Sequence, residues 1–167
     1  MQTSQVGGRY ESTRTARSML VTRVGSSRCC IPVGNVVETL RPLAIEALHG
    51  TPAFVLGVSL IRGAAVPVVD LAAVIGAPGA TGQLDGSRFV VLRVAARRVA
   101  ALVDAVLDVR ELPGLSIAEL PPLLGTAGRG LVDAVGALDA DLLVVLGAGR
   151  ILPEDVWRKL DPHPEAG

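Results

Sequence analysis

Apolar and polar residues follow each other in short runs along most of this chain, a pattern typical of β-strands. The most apolar stretch, residues 51–71, holds two runs, 54–61 and 64–69, separated by Arg62-Gly63. Glycine readily supplies the positive φ that a tight turn needs, so the pattern predicts a central β-hairpin. Gly57 inside the first run indicates a bulge or a close approach of another backbone segment. The arginine is the only polar break.

Two further hairpins and one long strand are predicted around it. Residues 19–24 and 28–33 form the first hairpin across Gly25-Ser26-Ser27, and residues 131–138 and 142–146 form the last. Residues 88–94 form a strand that turns into residues 99–110, about twice the usual strand length of five or six residues. We expect this long strand to bend and serve two sheets. One of its faces is wholly apolar: Val99, Ala101, Val103, Ala105, Leu107 and Val109.

Short helices are predicted at three places. Spacings of three and four put the apolar residues of 36–40 on one side of a short helix, capped by Asn35 and ended by Pro42. Asp70 is placed to cap a helix over residues 71–75, and a last helix covers residues 153–160.

Pro67 has no amide hydrogen to donate, so we expect its strand to lie at a sheet edge or to be bulged there.

The length of 167 residues fits one domain, or one domain made of two small halves. Residues 1–17 are polar and are predicted to be a disordered tail, as is the short tail at 161–167. Residues 18–160 are therefore the ordered domain. If its strands form a small β-barrel protein made of two sub-barrels, the glycine-rich residues 79–86 are the expected boundary between them.

Composition excludes several classes of function. Half of the residues are hydrophobic and the mean hydropathy is +0.49, yet the apolar runs are broken too often to reach the roughly 20 residues of a membrane-spanning helix. Sixteen basic residues cancel sixteen acidic ones and aromatics make up 2%, which argues against nucleic-acid binding. The surplus of apolar residues points to faces that pack on each other or on partner proteins.

The residues of chemical interest do not form a catalytic pattern. Cys29 and Cys30 are adjacent, without zinc spacing, and are predicted to be buried as small hydrophobic residues; without a disulfide framework or a signal peptide, the cytoplasm is the expected compartment. Asp70 and Asp104 lie in apolar contexts like an aspartic dyad, but the Ser/Thr-Gly that such a dyad needs is missing. We expect no catalytic centre, no metal and no cofactor.

Four motifs, in order along the chain, resemble those of the CheW-like domain. PAFVLGVSLIRGAAVPVVDL is similar to the family's P-x-F-V-x-G-V-x-N-L-R-G-x-x-x-P-V-x-D-L. IPVGNVVETL, VAALVDAVLDV and VGALDADLLVVL are similar to three further family segments. Together they identify residues 18–160 as a member of this family.

The resemblance implies a mainly β fold of two five-stranded SH3-like barrels packed around a shared hydrophobic core. It implies a non-catalytic adaptor of chemotaxis signal transduction, located in the cytoplasm at receptor arrays. Its partners would be the regulatory domain of a CheA-type histidine kinase and the cytoplasmic tip of a methyl-accepting chemoreceptor, with self-association in rings as a further mode. The residues that match partner-binding positions are Val36, Glu38, Gly57, Arg62 and Gly63, and those that match structural positions are Asp70 and Asp104.

The chain departs from the family at several positions. Leu60 replaces the asparagine of the hairpin, Ala100 and Ala101 replace a glycine and a larger apolar residue, and residues 147–149 replace an ordinary final strand with an expected weakened or bulged end. One alternative is therefore a specialised paralogue of a motility or developmental pathway that binds one partner or assembles with itself. The other is an enzyme using Asp70 and Asp104.

Overall fold

The computed structural model describes residues 17–77, 85–112, 132–138, 141–146 and 151–160, and within them the fold is mainly β. Two α-helices, α1 (Leu71–Val74) and α2 (Glu154–Leu160), and a 3-10 turn at Val33–Asn35 accompany the strands. The strands are β1 (Arg17–Val24), β2 (Ser27–Pro32), β3 (Val36–Leu40), β4 (Val55–Ile61), β5 (Ala64–Asp70), β6 (Arg88–Val94), β7 (Arg97–Val103), β8 (Ala105–Leu112), β9 (Val132–Leu138) and β10 (Asp141–Leu146).

The strands form two five-stranded sheets with the same internal plan. The first sheet has the order β8-β1-β2-β10-β9 and the second has the order β3-β6-β7-β5-β4. Each consists of one strand beside two antiparallel hairpins, and a parallel ladder joins the hairpins, β2 to β10 in the first sheet and β5 to β7 in the second. The two sheets use their elements in the same order. The second sheet is built from β3-β4-β5-α1-β6-β7, and the first sheet is built in the same way from β8-β9-β10-α2 followed by β1-β2. The first sheet is thus completed by the hairpin that begins the domain.

Several sequence predictions are confirmed by this arrangement. All three predicted hairpins are present, and the long strand does bend: β7 belongs to the second sheet, β8 to the first, and Asp104 lies between them.

The expected sub-barrel boundary at residues 79–86 is not a change of sheet, because β5 and β6 on its two sides both belong to the second sheet. The chain changes sheet between β2 and β3 and again between β7 and β8.

The helix predicted at residues 36–40 is wrong, because this segment is the edge strand β3, paired with β6. A register shift between Val36 and Glu38 forms a bulge in β3. Val36 packs on the cluster between the sheets, whereas Val37 and Leu40 pack on the opposite face of the second sheet. The bulge therefore produces the spacing of three and four that a helix would also show.

One expectation about an individual strand also needs correction, and the exposure of a second strand changes along its length. Pro67 is not at an edge, since β5 lies between β7 and β4; the parallel ladder to β7 begins only at Val68, so the missing amide falls outside that ladder. The apolar face predicted for residues 99–109 is buried as far as Val103. Beyond the break at Asp104, Leu107 and Val109 are exposed.

The main core fills the space between the two sheets. Val24 and Ile31 of the first sheet pack there with Val90 and Val99 of the second, and Trp157 of α2 belongs to the same cluster. A second cluster lies on the other face of the second sheet and includes Val66, Val68, Phe89, Val91 and Leu102. Because β6 and β7 are covered on both faces, they read as nearly continuous apolar runs in the sequence.

Cys29 and Cys30 are buried in β2 and are not joined in a disulfide, as predicted. Neither helix in the described ranges has the length and apolar character needed to cross a bilayer. The weakened end expected at residues 147–149 lies outside the described residues, as do the predicted tails at 161–167 and, except for Arg17 at the start of β1, at 1–17.

Candidate functional site

Arg62 and Gly63 form the two-residue turn between β4 and β5. Their φ angles are +52° and +77°, so both are left-handed, as a type I′ hairpin turn requires. Glycine adopts this conformation without cost, whereas an arginine does so against a strain of about 1 kcal/mol or more. An exposed arginine kept in an unfavourable backbone conformation is more typical of a functional position than of a structural one.

The Arg62 side chain reaches across to Glu38 on β3. Nη2 lies 2.9 Å from Oε2 and Nε lies 3.4 Å from Oε1, so the guanidinium donates side-on to both carboxylate oxygens. β3 and β4 are the two opposite edges of the second sheet. Their contact through this pair shows that the sheet curls until its edges approach each other.

A second contact joins the same edges further along. The segment after β3 returns to β4, where Glu46 and Val58 exchange two backbone hydrogen bonds of 2.8 Å each. The second apolar cluster lies on one face of this sheet, and the Arg62–Glu38 pair lies at the end of the sheet that carries the β4–β5 turn. We call this end the charged rim, formed by Glu38, Arg62, Arg93 and Arg98.

The charged rim is held in one protonation state near neutral pH. The hydrogen bond from Arg62 has the largest effect and lowers the pKa of Glu38; desolvation opposes it, and the positive charges of Arg62 and Arg98 lower the pKa further. The same bond raises the pKa of Arg62. Arg93 lies directly opposite Arg98 in the β6–β7 ladder, a placement of like charges that sheets normally avoid. The rim is therefore cationic, with one carboxylate among three guanidinium groups.

Arg93 and Arg98 were not among the residues singled out from the sequence. Neither belongs to a recognisable motif, and both occur in the ordinary run RVAARR. Their cross-strand pairing was the available signal, since a two-residue turn at Ala95-Ala96 places them opposite each other. Recognising it required the correct length of that turn.

Gly57 does not belong to the charged rim. It is buried in β4 with φ +143°, at the register shift between β4 and β5, and a Cβ there would meet the backbone of Glu46 and Ala47. The predicted bulge and close approach are thus both present. A partner could contact Gly57 only if the covering segment moved away.

Val36 and Leu60 lie on either side of the rim. Val36 is half-buried at the start of β3 and packs on the main core. Leu60, which stands where the family motif has asparagine, precedes the turn by two residues and is 69% exposed. It is the most exposed of the large hydrophobic side chains in the part of the chain that the structure describes.

The two aspartates have separate structural partners. Oδ1 of Asp70 accepts a hydrogen bond from the amide of Ala72 at 3.0 Å, which is the predicted cap of α1. Oδ2 of Asp104 accepts from the amide of Gly25, in the β1–β2 turn, at 2.6 Å, and the Asp104 amide donates to the Arg23 carbonyl at 2.9 Å. Each carboxylate therefore stabilises a change of chain direction.

The described residues bring together no group of three or more His, Cys, Asp or Glu side chains that could hold a metal ion. The charged rim can instead recognise a surface: it offers the guanidinium group of Arg62, held by Glu38, beside an exposed leucine. Arginine and apolar side chains are the usual anchors of protein–protein interfaces.

Comparison with known proteins gives a consistent match. The family model described as the CheW-like domain matches residues 18–156. The chain is 27% identical over 143 residues to "Chemotaxis protein CheW" of Rhizobium meliloti (strain 1021), covering 86% of this chain and 92% of that protein. It is 35% identical over 123 residues to "Protein FrzA" of Myxococcus xanthus, covering 71% and 75%.

Two further matches concern a kinase and a fold. "Chemotaxis protein CheA" of Cereibacter sphaeroides is 31% identical over 139 residues, which cover 79% of this chain and 17% of that protein. The crystal structure of the scaffolding protein TtCheW from Thermoanaerobacter tengcongensis superposes with a TM-score of 0.71 at 22% identity, covering 83% of this chain and 88% of that one. That likeness shows the fold.

Proposed function

The chain belongs to the CheW-like domain family, and from this we propose that it is a coupling scaffold of a chemotaxis signalling system. The scaffold joins other proteins and carries out no reaction of its own. The family match over residues 18–156, which includes the whole charged rim, is the observation that carries this proposal.

The partners that fit this function are the regulatory domain of a CheA-type histidine kinase and the cytoplasmic tip of a chemoreceptor. The similarity to one segment of "Chemotaxis protein CheA" supports the first, because a domain that resembles this chain can occupy an equivalent place in a shared assembly. In this proposal the protein works in the cytoplasm at receptor arrays, and rings of alternating domains include its self-association. Each five-stranded sheet would close as a small barrel.

The charged rim is the surface that we assign to the kinase regulatory domain. Arg62 is 74% exposed and Glu38 is 22% exposed by side chain, so the guanidinium can bind a partner while the carboxylate holds it in place. A positioned arginine loses less conformational entropy on binding than a free one. Glu38 is then a positioning residue for Arg62, and Val36 and Gly63 give the rim its shape.

A second candidate keeps the fold but narrows the partners. "Protein FrzA" matches at 35% identity, above the 27% of the Rhizobium meliloti CheW, and Leu60 replaces the hairpin asparagine of the family. Both observations favour a specialised paralogue that binds one partner or assembles with itself. Restoration of receptor control over a kinase in a reconstituted array would exclude it.

The kinase proposal can be tested with Arg62→Ala. The isolated regulatory domain of a CheA-type kinase from the same bacterium is titrated into wild-type and variant protein by calorimetry. We expect Arg62→Ala to bind about tenfold more weakly or worse, because central arginines are frequent hot spots. The free energy of unfolding should change by only about 0.5 kcal/mol, since the side chain is exposed.

Arg110→Ala is the matched control, because Arg110 is also an exposed arginine in an ion pair, 3.3 Å from Asp108 on β8. It should leave binding of the regulatory domain unchanged. An exchange variant, Arg62→Glu with Glu38→Arg, restores an ion pair but moves the positive charge. If it binds like wild type, the pair and not the arginine is recognised. If wild-type protein shows no binding at tens of micromolar, the kinase proposal is wrong.

A further inference from the structure

A groove lies beside strand β5 of the second sheet, between this strand and helix α2. Its walls are the first half of β5, the β6–β7 turn and helix α2, and its volume is about 330 Å³. The residues that matter for binding are Ala65, Pro67, Arg97, Arg98, Trp157 and Leu160. This is space for one large apolar side chain and a short stretch of backbone.

The groove exists because two neighbouring strands separate. The parallel ladder between β5 and β7 runs from Val68 opposite Ala100 to Asp70 opposite Leu102. Residues 64–67 of β5 come before it, and within the described parts of the chain they have no ladder partner on that side. Backbone groups of β5 therefore face the groove where a strand would normally pair. An extended peptide can use such groups for main-chain hydrogen bonds.

Helix α2 forms the opposite wall and is fixed in place. Nη1 of Arg97 lies 3.1 Å from Oε1 of Glu154, and the guanidinium carbon lies 5.0 Å from the centre of the Trp157 ring. These contacts combine an ion pair with a cation–π interaction. The wall is thus already formed before any ligand binds, which lowers the entropy cost of binding.

Leu60 extends the apolar lining of the groove beyond its edge. It lies directly opposite Ala65 in the β4–β5 ladder, so both side chains are on the same face of the sheet. An exposed leucine next to a lining alanine makes a continuous apolar strip from β4 to α2. Asparagine at this position, as in the family motif, would interrupt that strip. The strip is therefore a feature of this chain.

The charges of the groove indicate the kind of ligand. Arg97 and Arg98 line it, and among the described residues that line it none is Asp or Glu. Glu38, whose pKa the charge of Arg98 lowers, is already bonded to Arg62. We propose that the groove binds an extended segment of a partner protein in which an apolar side chain is flanked by carboxylates. The apolar side chain contacts Leu60 and Trp157, and a carboxylate binds Arg98.

This site shares Arg98 with the charged rim, so its test uses no kinase and is decided separately from the kinase proposal. Trp157 is the only tryptophan of the chain, so its fluorescence reports on the groove. The probe is a capped nine-residue peptide in which leucine and valine residues alternate with aspartates. A second peptide carries lysine in place of each aspartate.

We expect the aspartate peptide to change the Trp157 emission with a saturable curve and the lysine peptide to have no effect. Leu60→Asn should weaken binding about fivefold, because part of a leucine side chain is no longer buried. Arg98→Glu should weaken it by about tenfold or more through loss and reversal of charge. Leu107→Asn removes another exposed leucine, 45% exposed on β8, and should bind as wild type.

Three results would overturn the proposal. One is an unchanged Trp157 emission up to about 1 mM aspartate peptide, since a Kd of about 1 mM corresponds to only about 4 kcal/mol of binding free energy. Another is that both peptides bind equally, or that Leu107→Asn weakens binding of the aspartate peptide as much as Leu60→Asn does. The third is a shift of Trp157 emission that depends on protein concentration without peptide and disappears in Leu60→Asn, which would assign the groove to a second copy. The midpoint of thermal unfolding of each variant verifies that the fold is kept.

Discussion

Replacement of Gly57 by alanine tests the structural account of the central hairpin most directly. Gly57 has φ +143°, which L-residues with a side chain rarely adopt. In addition, the new Cβ would lie 2.7 Å from the Glu46 carbonyl carbon and 2.9 Å from the Ala47 Cα. Both neighbours are backbone atoms, so a side-chain rotation cannot relieve the contact.

The two effects give a magnitude. The backbone strain costs about 1–3 kcal/mol. Moving the Glu46 segment away breaks its two 2.8 Å hydrogen bonds with Val58, each of which contributes about 1 kcal/mol. We therefore expect Gly57→Ala to lower the free energy of unfolding by about 3–5 kcal/mol. For a chain of this size, this corresponds to a fall in Tm of about 6–20 °C.

Two other glycines provide controls that separate the effects. Gly63 has φ +77° but nothing within 4 Å of an added Cβ, so Gly63→Ala should cost about 1–2 kcal/mol from the backbone conformation alone. Gly34 has neither a positive φ nor a neighbour within 4 Å, so Gly34→Ala should change stability by about 0.5 kcal/mol or less. Chemical denaturation of the four proteins at one temperature gives the order.

A cost for Gly57→Ala no larger than that for Gly63→Ala would refute the reasoning, because the contact with residues 46–47 would then contribute nothing. The same measurement decides the role of Gly57. If Gly57→Ala keeps wild-type stability but loses binding of the kinase regulatory domain, Gly57 acts in partner binding, as the family resemblance implied.

Three more outcomes are expected. Asp104→Ala removes the acceptor of the Gly25 amide and should lower the free energy of unfolding by about 1–2 kcal/mol in a urea titration. Asp108→Ala, on the exposed side of β8, should lower it by about 0.5 kcal/mol or less. Equal losses would contradict the role of Asp104 in holding the β1–β2 turn. Ala95→Gly relieves a φ of +53° and should raise the melting temperature by about 1–3 °C; a decrease would contradict the strain. Burial, and then the neighbouring thiol, raise the pKa of Cys29 to about 12, so its neutral thiol stabilises the fold below its ordinary pKa of about 8.5. Stability should fall as pH rises from there toward 12, and it should fall less in Cys29→Ala, which keeps only Cys30, whose pKa burial also raises.

The sequence predicted local structure well where one residue type decides it. Gly63 and Gly25 have the positive φ that their turns require, and Asp70 caps the helix that follows it. The length of residues 99–110 predicted a strand shared by two sheets. These features depend on backbone conformation or chain length, which a sequence reports directly.

The sequence failed where tertiary contacts decide the outcome. The five residues of β3 are too few to distinguish a bulged strand from one helical turn, since both place Val36, Val37 and Leu40 toward apolar surroundings. The change of sheet was misplaced for a related reason. The parallel ladder β2–β10 joins hairpins that are far apart in the sequence, and the ladder β5–β7 joins hairpins separated by a loop. No local sequence pattern identifies which strands pair in this way.

The candidate site was predicted in part. The sequence pointed to Arg62 as a residue without a packing role, and the structure adds its partner Glu38 and the neighbouring Arg98. The family resemblance assigned both Glu38 and Arg62 to partner-binding positions but did not predict that they contact each other side-on. Leu60 was recognised as a departure, but its position beside the groove follows only from the register opposite Ala65.

The two places where the chain crosses between the sheets are built alike, and this bears on scaffold function. Nδ2 of Asn35, at the first crossing, lies 3.4 Å from the Arg93 carbonyl on β6, and Asp104, at the second crossing, binds the Gly25 amide at 2.6 Å. In both cases the crossing residue attaches to the central hairpin of the sheet that the chain is entering. Two such attachments, one at each crossing, resist rotation of one sheet against the other. A protein that holds two partners needs that resistance, because the distance between its interfaces sets the geometry of the assembly.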